Sequence, residues 1–532
     1  MKTNLKMFAM LFASLLIGLT ACDKKQDDLN NGEATGDYGY MSLSLQLPNA
    51  GSLLGVDDKH QDEEYIGTVP ESKVSEVLIG FYKGTATDAV CSANINLQAT
   101  LSGTAGENFT GADVADNSTS TKLVTKAVEV PQLGATEKYQ IVVFFNPTDE
   151  VKGLVTKGRS LSDLQRSANY DQTKVVTANG IMMSNAQGLI EIEKAILKET
   201  PALAEAATDK VNIKVERAVA KVFVNPAIGE PAGQGNISGA KLALKGWTLD
   251  VINKKFFNIR KQADALKTSY STNQQVATET EPETTTTLRV NAYAEDPNFT
   301  TSGTYSATDF TYLNQPYSGT NPATMPTFYE TGWDDDKGHY VSENTMQAVN
   351  QQYDATTLAI FKIEVTPKEL VGSTETSYVV YKNKVLKVAD FKEKVTASET
   401  KTDAEMEMPS GFQEDVNLFA DGGKTGQEVL NDKIDAGEAF TQNNVNFYVG
   451  LVNYYKMPIR HFTNEQQPKR MAYGRFGIVR NNIYKLTVNK VSNFGDPVIP
   501  EPGHDDDEKE VGYLSMSVDL LPWLVRESDY NL

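Results

Sequence analysis

The sequence predicts an all-β protein with little helix, built as two β-sandwich domains in tandem and closed by a separate C-terminal strand. Three observations predict it. Short alternating or fully apolar strands recur between Gly, Asn, Asp, Ser and Thr turns. Strand and helix rarely alternate, which disfavours a doubly wound parallel sheet. A Gly/Pro-rich break, Pro226 to Gly239, follows a long apolar strand. With 532 residues, 40% of them hydrophobic, the chain can fill two large cores.

In chain order, Lys2 and Lys6 precede an uncharged apolar run, Met7 to Leu19, too short to span a bilayer but suited to a secretory signal. The run ends in Leu19-Thr20-Ala21-Cys22, the pattern of a bacterial lipoprotein box, which makes Cys22 the expected lipidation site. Strands are expected over Val74–Tyr82, Tyr139–Phe145, Val211–Val224, Lys241–Val251, Leu358–Val365, Tyr378–Val388, Val445–Tyr454 and Ile483–Val491. Ser160 to Asp163 resembles a helix-opening capping box, and the apolar spacing of Gly188 to Lys198 suggests a weak helix. Thr278 to Thr287 is Thr/Glu-rich and reads as an exposed loop.

Composition excludes several function classes. Lys+Arg 50 against Asp+Glu 70 leaves a formal charge of −20, opposite to what phosphate backbones or anionic lipid require; nucleic acid is not an expected partner. Two cysteines cannot build a disulfide framework, and Cys91, between apolar neighbours, reads as a small core residue. His60, His339, His461 and His504 stand far apart in polar surroundings and are expected at the surface. Asp334–Asp336 and Asp505–Glu508 lack the alternating spacing of a calcium loop and read as solvated acidic loops. With no nucleophile elbow and no phosphate-binding loop, neither an enzyme nor a cofactor is implied.

The most informative pattern is repeated at the two ends. Gly39-Tyr40-Met41-Ser42-Leu43-Ser44-Leu45-Gln46-Leu47-Pro48 is matched by Gly512-Tyr513-Leu514-Ser515-Met516-Ser517-Val518-Asp519-Leu520-Leu521-Pro522. Met41, Leu43, Leu45 and Leu47 on one face correspond in size and phase to Leu514, Met516, Val518 and Leu520. Two such segments can fill the same groove, the condition for strand exchange between subunits. Burying four such side chains contributes roughly 6–12 kcal/mol. The stretch Pro497 to Val511 can extend roughly 50 Å at about 3.3 Å per residue, and Trp523 supplies a large apolar anchor beyond it.

Three further segments, Val215 to Lys221, Val479 to Tyr484 and the closing Leu520-Leu521-Pro522-Trp523, together with the signal and lipobox, resemble the Bacteroidales fimbrillins, the type V pilins, and most closely the shaft subunits of short fimbriae. The resemblance implies two transthyretin-like sandwich domains and assembly by strand exchange into a surface fimbria that mediates adhesion and biofilm formation. It implies a precursor anchored as a lipoprotein in the outer membrane, and as partners identical subunits, anchor or tip subunits and a surface receptor. The corresponding divisions are a signal peptide over 1–21, a propeptide over 22–59, domains over 60–230 and 231–496, and a linker with donor strand over 497–532. The removable strand is then Tyr40, Met41, Leu43, Leu45 and Leu47, and the donor strand Leu514, Met516, Val518, Leu520 and Trp523.

Fimbrillin processing commonly follows an arginine after the first strand, but this sequence has no Arg before Arg159. The loop Gly51 to Lys59 offers only Lys59 as a basic residue. Cleavage after Lys59, cleavage near Leu53-Leu54 and no cleavage all remain open; the loop itself is the expected site. Two other functions fit parts of the sequence: a surface carbohydrate-binding lipoprotein, and a terminal anchor or tip subunit.

Overall fold

In the computed structural model, the residues described are 37–47, 65–66, 68–98, 108–114, 121–224, 233–261, 295–299, 305–313, 338–346, 350, 352–459, 461, 477–503 and 514–524. The architecture is mostly β, with a small helical layer, as the sequence predicts. The largest sheet follows the order Val90–Gln98, Glu76–Lys83, Lys138–Phe145, Met183–Asn185, Val211–Arg217, Leu43–Gln46, Thr121–Thr125, Phe109–Val114, with Ile190–Glu193 also paired to Lys138–Phe145. Its inner face carries Val77, Ile79, Phe81, Ile141, Val143 and Ile213, none of them exposed.

A second, five-stranded sheet has the order His339–Val341, Ala220–Val224, Asn482–Val491, Leu514–Leu524, Tyr65–Ile66. Facing it is a three-stranded sheet, Lys241–Asp250, Leu358–Thr366 and Val452–Pro458; Val222, Leu486, Trp247 and Phe361 share the core between them. A third core is shared by both halves: Leu78, Tyr82 and Phe144 from the large sheet pack with Phe223, Phe256 and Ile483.

Several expectations are corrected. The single strand expected over Val211–Val224 is two, Val211–Arg217 in the large sheet and Ala220–Val224 in the five-stranded one. The chain changes sheet at Ala218–Val219, both fully buried, so continuous hydrophobicity conceals the corner. Tyr378–Val388 is a hairpin, Tyr378–Tyr381 and Lys384–Lys387, turning through Lys382 (φ 44°) and Asn383 (φ 68°). Val445–Tyr454 is likewise broken, into Val445–Tyr448 and Val452–Pro458. Gly188 to Lys198 forms a strand, Ile190–Glu193, followed by a 3-10 turn, because pairing with Lys138–Phe145 overrides its weak helical spacing.

Among the helices not anticipated are Val388–Ala397, Phe412–Asn417 and Gly426–Asp435. They bury Phe391, Val395, Phe412, Val416, Leu430 and Ile434 against the sheet containing Tyr378–Tyr381. Their sequence signal is Thr425-Gly426-Gln427-Glu428, a complete capping box in which Thr425 and Glu428 each satisfy the other's backbone N–H. The helix expected at Ser160 is present as Leu161–Leu164, with Ser160 Oγ accepting from Ser162 N. Cys91 is buried as expected, 1% exposed. His461 is not at the surface: it is 2% exposed, with Nδ1 2.7 Å from the Tyr484 hydroxyl. Cys22, Lys59, the loop Gly51 to Lys59, His60, His504, Thr278 to Thr287 and both acidic runs lie outside the described residues.

Candidate functional site

The N-terminal repeat is split between a two-stranded sheet, which takes Tyr38–Met41, and the interior of the large sheet, which takes Leu43–Gln46. Tyr38–Met41 pairs antiparallel with Val128–Pro131. Leu43–Gln46 then lies between two neighbours, parallel to Val211–Arg217 (Leu43 opposite Val211, Leu45 opposite Ile213) and antiparallel to Thr121–Thr125 (Leu45 opposite Leu123). Period-2 alternation sends Met41, Leu43, Leu45 and Leu47 into the core, each at most 1% exposed. The serine face is buried too: Ser42 Oγ donates to the Thr125 carbonyl at 2.6 Å, and Leu43 N donates to Thr125 Oγ1 at 2.9 Å. Ser44 Oγ donates to Asn212 Oδ1 at 3.2 Å. Small hydroxyl side chains are therefore what this face admits, since each must satisfy its own polar atom.

Gly39 has an equally local reason. A Cβ there would come 2.9 Å from Leu197 Cβ and 3.1 Å from Gln132 Oε1, too close for any larger residue without movement. Tyr40, next to it, is clamped by backbone bonds in both directions with Lys198, and its hydroxyl donates to Glu129 Oε2 at 2.9 Å. Each feature shared by the two terminal repeats, the Gly-Tyr start and the Ser phase, has a steric or hydrogen-bonding cause in this groove.

The C-terminal repeat occupies a different place. Leu514–Leu524 runs antiparallel to Asn482–Val491, from Val491 opposite Leu514 to Asn482 opposite Pro522, with one irregularity between Val488 and Lys490. Val518, Leu520 and Trp523 sit on this strand opposite Leu486, Tyr484 and Tyr65 in turn, and Met516 packs partly buried against the C-terminal core. Trp523 and Leu524 pair in parallel with Tyr65 and Ile66. The two repeats thus lie in separate sheets of one chain, Leu43–Gln46 of the first inside the large sheet and the last on the five-stranded one.

Between these sheets sits a buried polar joint that sequence reasoning did not anticipate as a structure, although both of its motifs had been singled out. Arg217 and Arg480 are fully buried. Arg217 N donates to Asn481 Oδ1 at 3.1 Å, Arg217 Nε donates to the Glu71 carbonyl at 3.3 Å, and Asn481 N donates to the Val219 carbonyl at 2.8 Å. Arg480 Nη2 lies 2.9 Å from Glu343 Oε2 and donates to the Phe257 carbonyl at 2.9 Å. Glu216 pairs with Arg260 at 2.6 Å; even so, burial pushes its carboxyl up to about 7, against the pull of Arg260 and Arg480. Burial also raises the Glu71 carboxyl, but the Lys221 ammonium and hydrogen bonds from Lys221 and Tyr340 outweigh it and hold it below its ordinary value.

The strand Asn482–Val491 and the last strand fall within the one stretch that a known family describes. Residues 446–529 match the C-terminal fimbrillin family, major fimbrial subunit protein type IV. That is a fimbrial subunit signature. No curated protein sequence matches the chain. Among solved structures, a proposed cell adhesion protein of Parabacteroides distasonis is similar at 11% identity and TM-score 0.43, over 91% of this chain and 97% of that one. A fimbrilin of Porphyromonas gingivalis is similar at 14% identity and TM-score 0.35, over 91% and 98%. The tip fimbrial protein Mfa3 of the same organism, truncated at its C-terminus, is similar at 10% identity and TM-score 0.34, over 91% and 100%.

Proposed function

We propose that the chain is a structural subunit of a surface fimbria, that it polymerises by strand exchange, and that the fibre serves adhesion to host cells or other bacteria and biofilm formation. In this reading the precursor is exported as a lipoprotein acylated at Cys22 and held in the outer membrane. Cleavage within Gly51 to Lys59 then frees the strand Tyr40 to Leu47. Leu514, Met516, Val518, Leu520 and Trp523 of a neighbouring copy fill the groove it leaves, and anchor or tip subunits end the fibre.

The observation that carries the reading is the seat of Leu43–Gln46 between Thr121–Thr125 and Val211–Arg217, with its apolar side chains buried. Removing an interior strand leaves two unpaired strand edges and an apolar slot, both strongly unfavourable in water. A second strand of the same pattern, on the end of a linker able to reach roughly 50 Å, matches that slot in side-chain size and phase.

Two measurements test it. N-terminal sequencing of assembled surface fibres should give a start between residues 51 and 60; a start at Cys22 would sink the shaft reading. Deleting residues 514–532 should abolish polymer ladders while leaving a folded monomer; persistence of the ladders would show that another element joins the subunits.

A further inference from the structure

A cleft of about 1280 Å³ opens where Ser167–Asn169 pairs with Lys255–Phe257, a strand that reaches across from beyond the joint. Tyr170 and Phe256 line it, with ring centroids 6.0 Å apart and planes at 85°, an edge-to-face pair that fixes both rings. Asn258, also in the lining, is only 3% exposed, and its side-chain amide makes no hydrogen bond among the described residues. The Tyr170 hydroxyl, in the same lining, is buried with no hydrogen-bond partner among the described residues, which is uncommon. Around the rim, Asn169, Gln172 and Asn179 are exposed, and their side-chain amides are likewise unbonded among the described residues. An amide presents an acceptor and two donors in one plane, which suits vicinal hydroxyls that both donate and accept.

Charge narrows the ligand further. Both lysines of the lining are held by carboxylates, Lys152 by Glu76 at 2.8 Å and Lys174 by Asp171 at 3.3 Å. Asp149 and Glu150 add negative charge at the same wall. A phosphorylated, sulfated or sialylated ligand would meet net repulsion there, and a lipid tail would leave the amides unsatisfied.

We propose that this cleft binds a neutral oligosaccharide, its hydroxyls taken by Asn258, Asn169 and Gln172 and an apolar sugar face set against Tyr170. The site is independent of strand exchange, because none of these residues touches the groove of Leu43–Gln46.

The test is calorimetric titration of the full chain with lactose, mannobiose, N,N′-diacetylchitobiose and 3′-sialyllactose. At least one neutral disaccharide should bind with a Kd of about 1 mM or tighter, and 3′-sialyllactose should bind more weakly than lactose. Gln172→Ala, on the exposed rim, and Asn258→Ala, in the buried wall, should each weaken binding at least about fivefold with melting temperature unchanged. If Asn258→Ala fails to fold, Gln172→Ala paired with Asn169→Ala carries the same expectation. Failure of every neutral sugar to bind, preference for the sialylated one, or undiminished affinity in the variants overturns the proposal. Fibre assembly, read separately, should be unaffected in all of them.

Discussion

Glu71 Oε1 and Lys221 Nζ meet 2.5 Å apart as an ion pair in which each side chain is 1% exposed, and the Tyr340 hydroxyl donates to the same oxygen at 2.6 Å. The pair ties the short helix Val69–Ser72, which follows the Tyr65–Ile66 strand, to the strand Ala220–Val224 of the five-stranded sheet. A buried pair is strongly destabilising when only one partner is removed, since the other is left charged and desolvated. Lys221→Met is therefore expected to cost about 3–5 kcal/mol in denaturant unfolding. The double variant Lys221→Met with Glu71→Leu should recover most of that loss, and a double-mutant cycle measures the coupling. Simple additivity of the two single effects would contradict the pairing.

Asp250 gives a pH dependence whose sign can be stated. Its Oδ1 accepts from Val251 N at 2.8 Å and Leu313 N at 2.9 Å, but the carboxyl is fully buried, and burial pushes it up to about 6. A folded-state value above the unfolded one means that the native state holds the proton more tightly. The associated stabilisation is complete below the unfolded value near pH 4 and is lost as pH rises through about 6. Asp250→Asn keeps an acceptor for both N–H groups and cannot ionise. It should unfold with a midpoint that varies less between pH 4 and 7 than the wild type, and with equal or greater stability at pH 7.

Leu45 separates precursor from fibre. Leu45→Ala in the unprocessed chain should lower stability by about 2–5 kcal/mol, because the residue is fully buried between Leu123 and Ile213. Under the proposed strand exchange, fibres assembled from the processed variant should melt like wild-type fibres, since processing would remove the altered strand. Equal destabilisation of both would mean that the strand stays in place.

Asn481 adopts φ 60° and its side chain accepts from Arg217 N. Asn481→Gly retains the left-handed turn and loses the acceptor, whereas Asn481→Ala loses both. Both should destabilise, the alanine variant by about 1 kcal/mol more than the glycine variant, measured by thermal unfolding.

The Cys91 thiol is 1% exposed and burial pushes it up to about 11. Its reaction with a thiol-disulfide reagent at pH 8 should be slow in the native chain and complete on denaturation, because the thiolate is the reactive form.

The sequence was most legible where apolar and polar residues alternate along a strand, as from Phe361 to Thr366 within Leu358–Thr366 and in the repeat at Leu43–Gln46. It was least legible where burial is continuous. Nothing in Val215 to Val224 marks a corner, because Ala218 and Val219 are as buried as the strands beside them, and hydrophobicity carries no sign of which sheet a residue joins. The helices between Val388 and Asp435 were missed for a related reason. Their apolar residues are few and face a sheet, and only the Thr425–Glu428 capping box declares them locally. The joint was half legible: Glu216 and Arg217 stand out as polar residues at the end of an apolar strand, and Arg480 and Asn481 at the turn between two others. Their meeting, 264 positions apart for Arg217 and Asn481, is a tertiary fact that no local pattern encodes.

That separation has a consequence for how the chain is made. The strand Ala220–Val224 pairs in parallel with Ile483 to Leu486, and the arginine corner closes only on Arg480 and Asn481. A chain cut short before residue 477 retains every strand of the large sheet yet lacks Asn481 beside Arg217 and the Ile483 to Leu486 edge beside Ala220–Val224. Such a fragment leaves one edge of the Ala220–Val224 strand unpaired, a ready target for proteolysis. The corner between the two sheets is therefore complete only once the far end of the chain has been synthesised.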